Sequence, residues 1–147
     1  MTVRGPRFKL ARTMGDVDAG ATDSMIEAVE SRLRHRFPDD YRTFLKSENG
    51  FERWFGDVYL SLYTIEEVVG FNETHDHLAY QPELIHIGSD GGGEAIAFDF
   101  RQDPPTVILV NLVSTDWSEA IVQAESFTEF MDQRERGEQL RWRRGDA

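Results

Sequence analysis

Cysteine is absent from the 147 residues. That excludes a disulfide framework, thiol catalysis and zinc sites built on thiolates, and it fits a reducing compartment. Long apolar runs are missing as well. No stretch approaches the ~20 residues of a membrane span, and the basic start, Met1 to Leu10, lacks the apolar segment of a secretory leader. The expected location is the cytoplasm. Positive charge is scarce in the middle of the chain: between Trp54 and Gln133, Arg101 is the one basic residue against fifteen Asp and Glu. Residues 1–53 and 134–147 are near balance, so the net charge of −11 originates in that middle segment. A field of this sign repels nucleic acid and anionic lipid and draws cationic partners inward. A generic solubility surface would carry the same sum.

What is present suits one globular domain. A chain of this length buries roughly 70% of its unfolded surface and needs no disulfide or metal to hold it. Hydrophobic residues are 39% and charged residues 29%, an ordinary balance that argues against disorder. Residues 1–21 read as an arm broken by Gly5-Pro6, Gly15 and Gly20, with a short edge strand at Phe8–Leu10. A helix is expected to begin near Thr22-Asp23-Ser24, where Ser24 and Glu27 make a capping-box pattern. Ile26, Val29 and Leu33 then share one face, with Glu27, Glu30, Arg32 and Arg34 opposite. Phe37-Pro38 stops that helix, and Pro38 suits the first position of a second, which carries Tyr41, Phe44 and Leu45 and ends at Asn49-Gly50.

The period then changes from 3.6 to 2. Strands are expected at 58–63, 83–87, 95–100, 106–112 and 120–124. Thr64 with Glu67 opens a short helix through Val69, residues 70–82 read as a polar loop, and Ser126 with Glu129 opens a last helix bearing Phe127, Phe130 and Met131. The tail 134–147 extends that helix or docks through Trp142. Short links between strands favour antiparallel pairing, so the expected fold is α+β: a mainly antiparallel sheet with helices packed on one face, spanning residues 22–133.

Four segments in this order resemble the SUKH superfamily, the Smi–Knr homology domains. They are Ile26–Arg36 with Glu30, the proline-led Phe37–Gly50, Ile87–Glu94 followed by Ala97-Phe98-Asp99, and Ser126–Met131. The resemblance implies a non-enzymatic binding module with no catalytic motif and no cofactor. Many bacterial members are similar to immunity proteins that neutralise a toxin domain, often a nuclease. Fungal relatives act in regulating cell-wall synthesis, so a regulatory or scaffold module binding a cellular protein or small ligand stays open beside the immunity reading.

Other chemistry weighs less. Gly91-Gly92-Gly93 lacks the lysine and following helix of a phosphate loop, and Asp90 and Glu94 would repel phosphate. Asp90, Glu94 and Asp99 lack the alternating-oxygen spacing of a calcium loop. Glu73, His75, Asp76 and His77 form a metal-like cluster without an evident further ligand, and a solvated loop explains them better. Paired carboxylates alone do not define a glycosidase, and no nucleophile elbow is present. The expected partner is a protein, with a basic toxin domain as the leading candidate, and neither nucleic acid nor membrane. Its contacts are expected at Trp54, Asp57, Glu66, Glu67, Asp90, Glu94, Asp116, Trp117 and Glu119, aromatic anchors ringed by acids.

Overall fold

A computed structural model describes residues 20–114 and 116–142, so the strand expected at Phe8–Leu10 lies outside the described residues. Helix α1 (Asp23–Leu33) is capped by Thr22 rather than Ser24. The Thr22 hydroxyl accepts from the Met25 amide at 3.1 Å, satisfying a donor that the first turn leaves without a carbonyl, and Ser24 falls inside the helix. Ile26, Val29 and Leu33 are buried as their spacing requires. Glu30, expected on the outer face, is buried too. Its carboxylate accepts from the Phe37 amide at 2.7 Å and lies 3.4 Å from Arg42 Nε, which ties the corner between α1 and α2 (Asp39–Ser47). Pro38 is the N-cap of α2, one position outside the first helical residue where it was expected.

Six strands follow as an antiparallel meander: β1 (Phe51–Phe55), β2 (Val58–Leu62), β3 (Leu84–Ser89), β4 (Glu94–Asp99), β5 (Thr106–Asn111) and β6 (Ile121–Ala124). The α+β class with an antiparallel sheet is therefore as expected, but β1 escapes a period-2 reading. Phe51, Arg53 and Phe55 share one side of it, and the Arg53 guanidinium lies over both rings, 4.3 and 5.0 Å from their centroids. A cation at the central apolar position masks the alternation.

The expected polar loop at 70–82 is largely helical, in α3 (Ile65–Thr74) and α4 (His77–Tyr80). At the start of α3, Thr64 and Glu67 form the expected reciprocal cap: the Thr64 hydroxyl accepts from the Glu67 amide at 3.1 Å, and the Glu67 carboxylate from the Thr64 amide at 2.9 Å. At the last helix, α5 (Phe127–Glu135), the expected box is half present. Ser126 accepts from the Glu129 amide, but the Glu129 carboxylate turns to the Glu125 amide instead. The tail then returns along β6, where the Gln123 side chain bonds both backbone groups of Arg141 at 2.8 Å. Leu140 docks there, whereas Trp142 stays 40% exposed.

The main core lies between the helices and one sheet face, where Leu60, Ile87, Ile96, Phe98 and Leu109 meet residues of α1, α2 and α5. Tyr41 sits at its centre, edge-on to Phe37, Phe98 and Phe127 at 5.1–5.2 Å. Burial in this apolar setting pushes its phenol pKa far above the ordinary value. The opposite face carries a smaller cluster, Leu84, Ala95, Ala97, Ile108 and Val110, covered by Leu112, Trp117 and Ala120. Among the described residues no helix is long and apolar enough to cross a membrane.

The β2–β3 ladder is short. Only Ser61–Ser89 and Leu62–Gly88 pair, and a Cβ at Gly88 would stand 2.3 Å from the Ser61 carbonyl oxygen. Past Tyr63 the chain leaves the sheet, and the edge of β3 passes to one side chain. Asn72 Nδ2 donates to the His86 carbonyl at 2.8 Å, and its Oδ1 accepts from the His86 amide at 2.8 Å. A second Nδ2 bond reaches the Val68 carbonyl at 2.7 Å. The amide thus reproduces the paired bonds of a neighbouring strand. Asn72→Ala is expected to lower the unfolding free energy by about 3 kcal/mol, through several buried groups left without partners. Asn72→Asp is expected to cost at least as much at neutral pH, because an ionised carboxylate cannot donate to His86. Urea titration measures both, and a loss under about 1 kcal/mol for the alanine variant would show the edge satisfied by other means.

Candidate partner-binding face

At the β1–β2 end of the sheet face away from the main helical layer, the strands enclose a concave notch. Residue alternation puts Glu52 and Trp54 of β1, Tyr59 and Ser61 of β2 and Ser89 of β3 on that face. Together with Asp90 and Gly91 they line a cavity of about 550 Å³. Trp54 meets Tyr59 edge-on with ring centroids 5.3 Å apart, and the Tyr59 hydroxyl donates to Glu52 at 2.9 Å. The far wall is the 90–93 turn. Gly91 has φ 86°, and a Cβ there would come within 2.6 Å of the Tyr59 ring, so this wall requires glycine for both backbone conformation and space. Asp90 shapes the turn, its Oδ1 accepting from the amides of Gly92 at 2.8 Å and Glu94 at 3.3 Å.

The nine residues expected at the interface fall into three groups. Trp54 and Asp90 line the notch, with Asp57 exposed on the hairpin turn beside it and Glu94 at the far end of the glycine turn. Asp116, Trp117 and Glu119 belong to the loop that covers the β4–β5 part of the same face, joined to the glycine turn by the Leu112 amide donating to the Gly93 carbonyl at 2.9 Å. Glu66 and Glu67 are exposed on the first turn of α3, where they complement the helix dipole. Glu52, Tyr59, Ser61 and Ser89, not expected there, join the notch. Recognising β1 by its Phe-x-Arg-x-Phe alternation would have paired Glu52 and Trp54 with Tyr59 and Ser61.

Trp117 is held from above by the single cation of the acidic segment. The Arg101 guanidinium lies 3.6 Å from the centre of the Trp117 ring, while its Nε and NH2 donate to the two Asp99 oxygens at 3.0 and 2.9 Å. Asp99 is therefore committed to Arg101 rather than to a site with Asp90 and Glu94. Among the described residues no group of three His, Cys, Asp or Glu is placed to hold a metal ion.

A family model described as SMI1 / KNR4 family (SUKH-1) matches residues 20–133. No curated protein matches the chain.

The histidines expected in a solvated loop are instead packed. His77 is buried and stacks on His86, with centroids 4.3 Å apart and planes 3° from parallel, and His75 lies 5.9 Å from His86. The His77 Nε2 meets Asn72 Oδ1 at 3.1 Å. Burial, with the neighbouring imidazoles, pushes the His86 pKa down to about 3 from an ordinary 6.5, and burial lowers His77 as well. The unfolded chain therefore binds protons that the folded chain refuses between pH 6.5 and about 3. Stability is fully present above pH 6.5 and falls as the pH drops below it, by roughly 1.4 kcal/mol per pH unit for His86. In His86→Leu the loss between pH 7.5 and 5.5 is expected to shrink by about 1.4 kcal/mol, read by urea titration at the two pH values. Equal losses in both proteins would contradict this assignment.

Proposed function

The chain belongs to the SMI1/KNR4 family (SUKH-1), and from that premise we propose that it is a non-enzymatic protein-binding module of the immunity type, whose open acidic sheet face covers the basic surface of a cognate toxin domain. The observation that carries this reading is Trp54, 65% exposed on an edge strand beside a concave surface bearing Glu52 and Asp90. A large aromatic side chain left in water at a carboxylate-bearing notch suits a contact that becomes buried on association. Its surroundings support a cationic partner. Fifteen acids stand against Arg101 between residues 54 and 133, and Arg101 is already bonded to Asp99.

In this reading Trp54, Asp57 and Asp90 form the centre of the interface, with Glu94, Asp116, Trp117 and Glu119 along one side and Glu66 and Glu67 as outlying charges that steer encounter. A nuclease suits the role of toxin, because a surface that grips a phosphate backbone is basic. Asp90 caps a turn and Asp99 holds Arg101, uses that favour binding over catalysis. The domain of residues 22–133 would act in the cytoplasm, where such a toxin would otherwise reach its substrate.

Two measurements test the proposal. Co-expression with a basic toxin domain encoded beside the gene is expected to restore growth, and survival that does not depend on this protein would sink the immunity reading in favour of a regulatory module. Association of the pair is expected to slow by at least about tenfold between ~0.01 and ~1 M salt, as the screening length contracts from ~30 to ~3 Å. A rate unchanged over that range would remove the electrostatic part of the argument.

A further inference from the structure

We infer that the segment from Val69 to Gln81 is an acid-released clasp: as the pH falls below neutral it leaves the edge of β3 while the rest of the sheet stays paired. The weakness of its attachment lies in what it buries. Between 69 and 81 the buried residues are Asn72, His77 and Gln81, all of them polar. The buried apolar side chains of α3, Ile65 and Val68, belong to its first turn. Phe71 and Tyr80, the large rings of the segment, are exposed. A segment with no fully buried apolar side chain opens at a lower cost than the core beneath it. Asn72 ties it to β3 by bonding both backbone groups of His86, and meets His77 on the same oxygen.

The space under the clasp is ill suited to positive charge. His86 is 1% exposed. Neither of its ring nitrogens has a hydrogen-bond partner, and the buried side-chain amide of Gln81 has none either. The His77 ring stacks on His86 at 4.3 Å, and the His75 ring lies 5.9 Å away. Protons on two of these rings would set like charges at those distances away from bulk water, where repulsion is strong. Among the described residues the nearby charges are committed elsewhere. Glu73 of α3 pairs with Arg32 of α1, Asp99 of β4 holds Arg101 with support from Glu83, and Asp76 is exposed. Glu66 and Glu67 lie at the opposite end of α3, His35 turns to the Pro82 carbonyl, and the β4 residue opposite His86 is Ala97. Tyr63, stacked on Phe71, stays neutral, its phenol pushed up to about 12 by burial and Glu67. The Leu84 backbone favours a charged His77, but burial outweighs it. For His86, burial and the two neighbouring rings act together. The open segment therefore binds protons that the closed one refuses, and opening gains as the pH falls through 6.5.

Native-state amide exchange on the full chain, in low urea at pH 7.5 and 5.5 and corrected for the intrinsic pH dependence of exchange, tests the clasp. The reporters are the His86 amide, whose acceptor is the Asn72 oxygen, and the Gln81 amide, which donates to the His77 carbonyl. Amides of β4 and β5 serve as reference. The reporters are expected to exchange through an opening that urea barely affects, while the reference amides wait for global unfolding. The opening constant of the reporters is expected to rise at least about tenfold from pH 7.5 to 5.5, through the proton that the open His86 takes up. In His86→Leu that rise is expected to be about tenfold smaller. A urea dependence equal to that of β4 and β5 overturns the proposal, because the segment then opens only with the whole domain. An undiminished rise in His86→Leu overturns it as well. Should that variant fail to fold, the unaltered chain supplies a second reading, the carbon-bound ring protons of His86 in NMR. They are expected to keep the shifts of a neutral ring down to pH 5.5. Titration of that ring with a midpoint near pH 6.5, its amide still protected, would show that the closed clasp tolerates the charge and would sink the idea.

Discussion

The two-residue ladder between β2 and β3 is the joint on which the rest of the structure turns. A strand that leaves its neighbour so early exposes backbone donors and acceptors, and each one buried without a partner costs as much as a lost hydrogen bond. On one side the loss is repaired by Asn72, whose amide supplies the two bonds that β2 no longer makes to His86. That repair fixes α3 against the sheet edge and, through the His77 contact to the same Asn72 oxygen, α4 as well. On the other side the separation leaves a concave notch. There Tyr59, paired with Trp54 of β1 on its other side, lies under Gly91 beyond the end of the β2–β3 ladder, and the notch forms at that end. The packed edge and the concave surface are thus two consequences of one departure from regular pairing.

The distribution of charge follows a similar division of labour. Several acids act locally: Glu30 ties the α1–α2 corner, Glu67 and Glu129 close helix starts, and Asp99 holds Arg101. Several arginines are drawn into packing in the same way. Arg42 faces Glu30, Arg53 lies across Phe51 and Phe55, and Arg134 is buried with its NH2 on the carbonyls of Glu138 and Gln139. The sheet face between Trp54 and Asp116 is therefore acidic because its carboxylates outnumber its cations and because Arg101 is bonded to Asp99 beneath it. An interface of that kind gains more in encounter rate and discrimination than in raw affinity, while Trp54 provides area that becomes dry on contact.

Much of the fold was legible in the chain, and the exceptions have physical causes. Periodicity located α2 and the strands β2 to β6 to within a residue or two, and the starts of α1 and α5, because their apolar spacing is undisturbed. The Ser24–Glu27 pattern misplaced a cap because Thr22, two residues earlier, has a hydroxyl that reaches the Met25 amide. Strand β1 was hidden by Arg53, which fills an apolar position by laying its guanidinium on two phenylalanine rings. The stretch 70–82 read as loop because its buried residues are polar. Asn72 and His77 are inside because they bond each other and the edge of β3, a partnership that no local pattern announces.

The same distinction holds for the site. Sequence by itself determined the α+β class, the order of the elements and the concentration of negative charge between residues 54 and 133, since these depend on composition and on spacing along a few turns. It also singled out Trp54 and Asp90, each by its chemical type. Tertiary structure alone decided that these two stand in one notch with Glu52 and Tyr59, that Trp117 is a cover beneath Arg101, and that His77 and His86 are stacked in the interior. Those outcomes depend on how β2 parts from β3 and on which side chains meet across tens of residues, and contacts of that range leave no periodic trace in the chain.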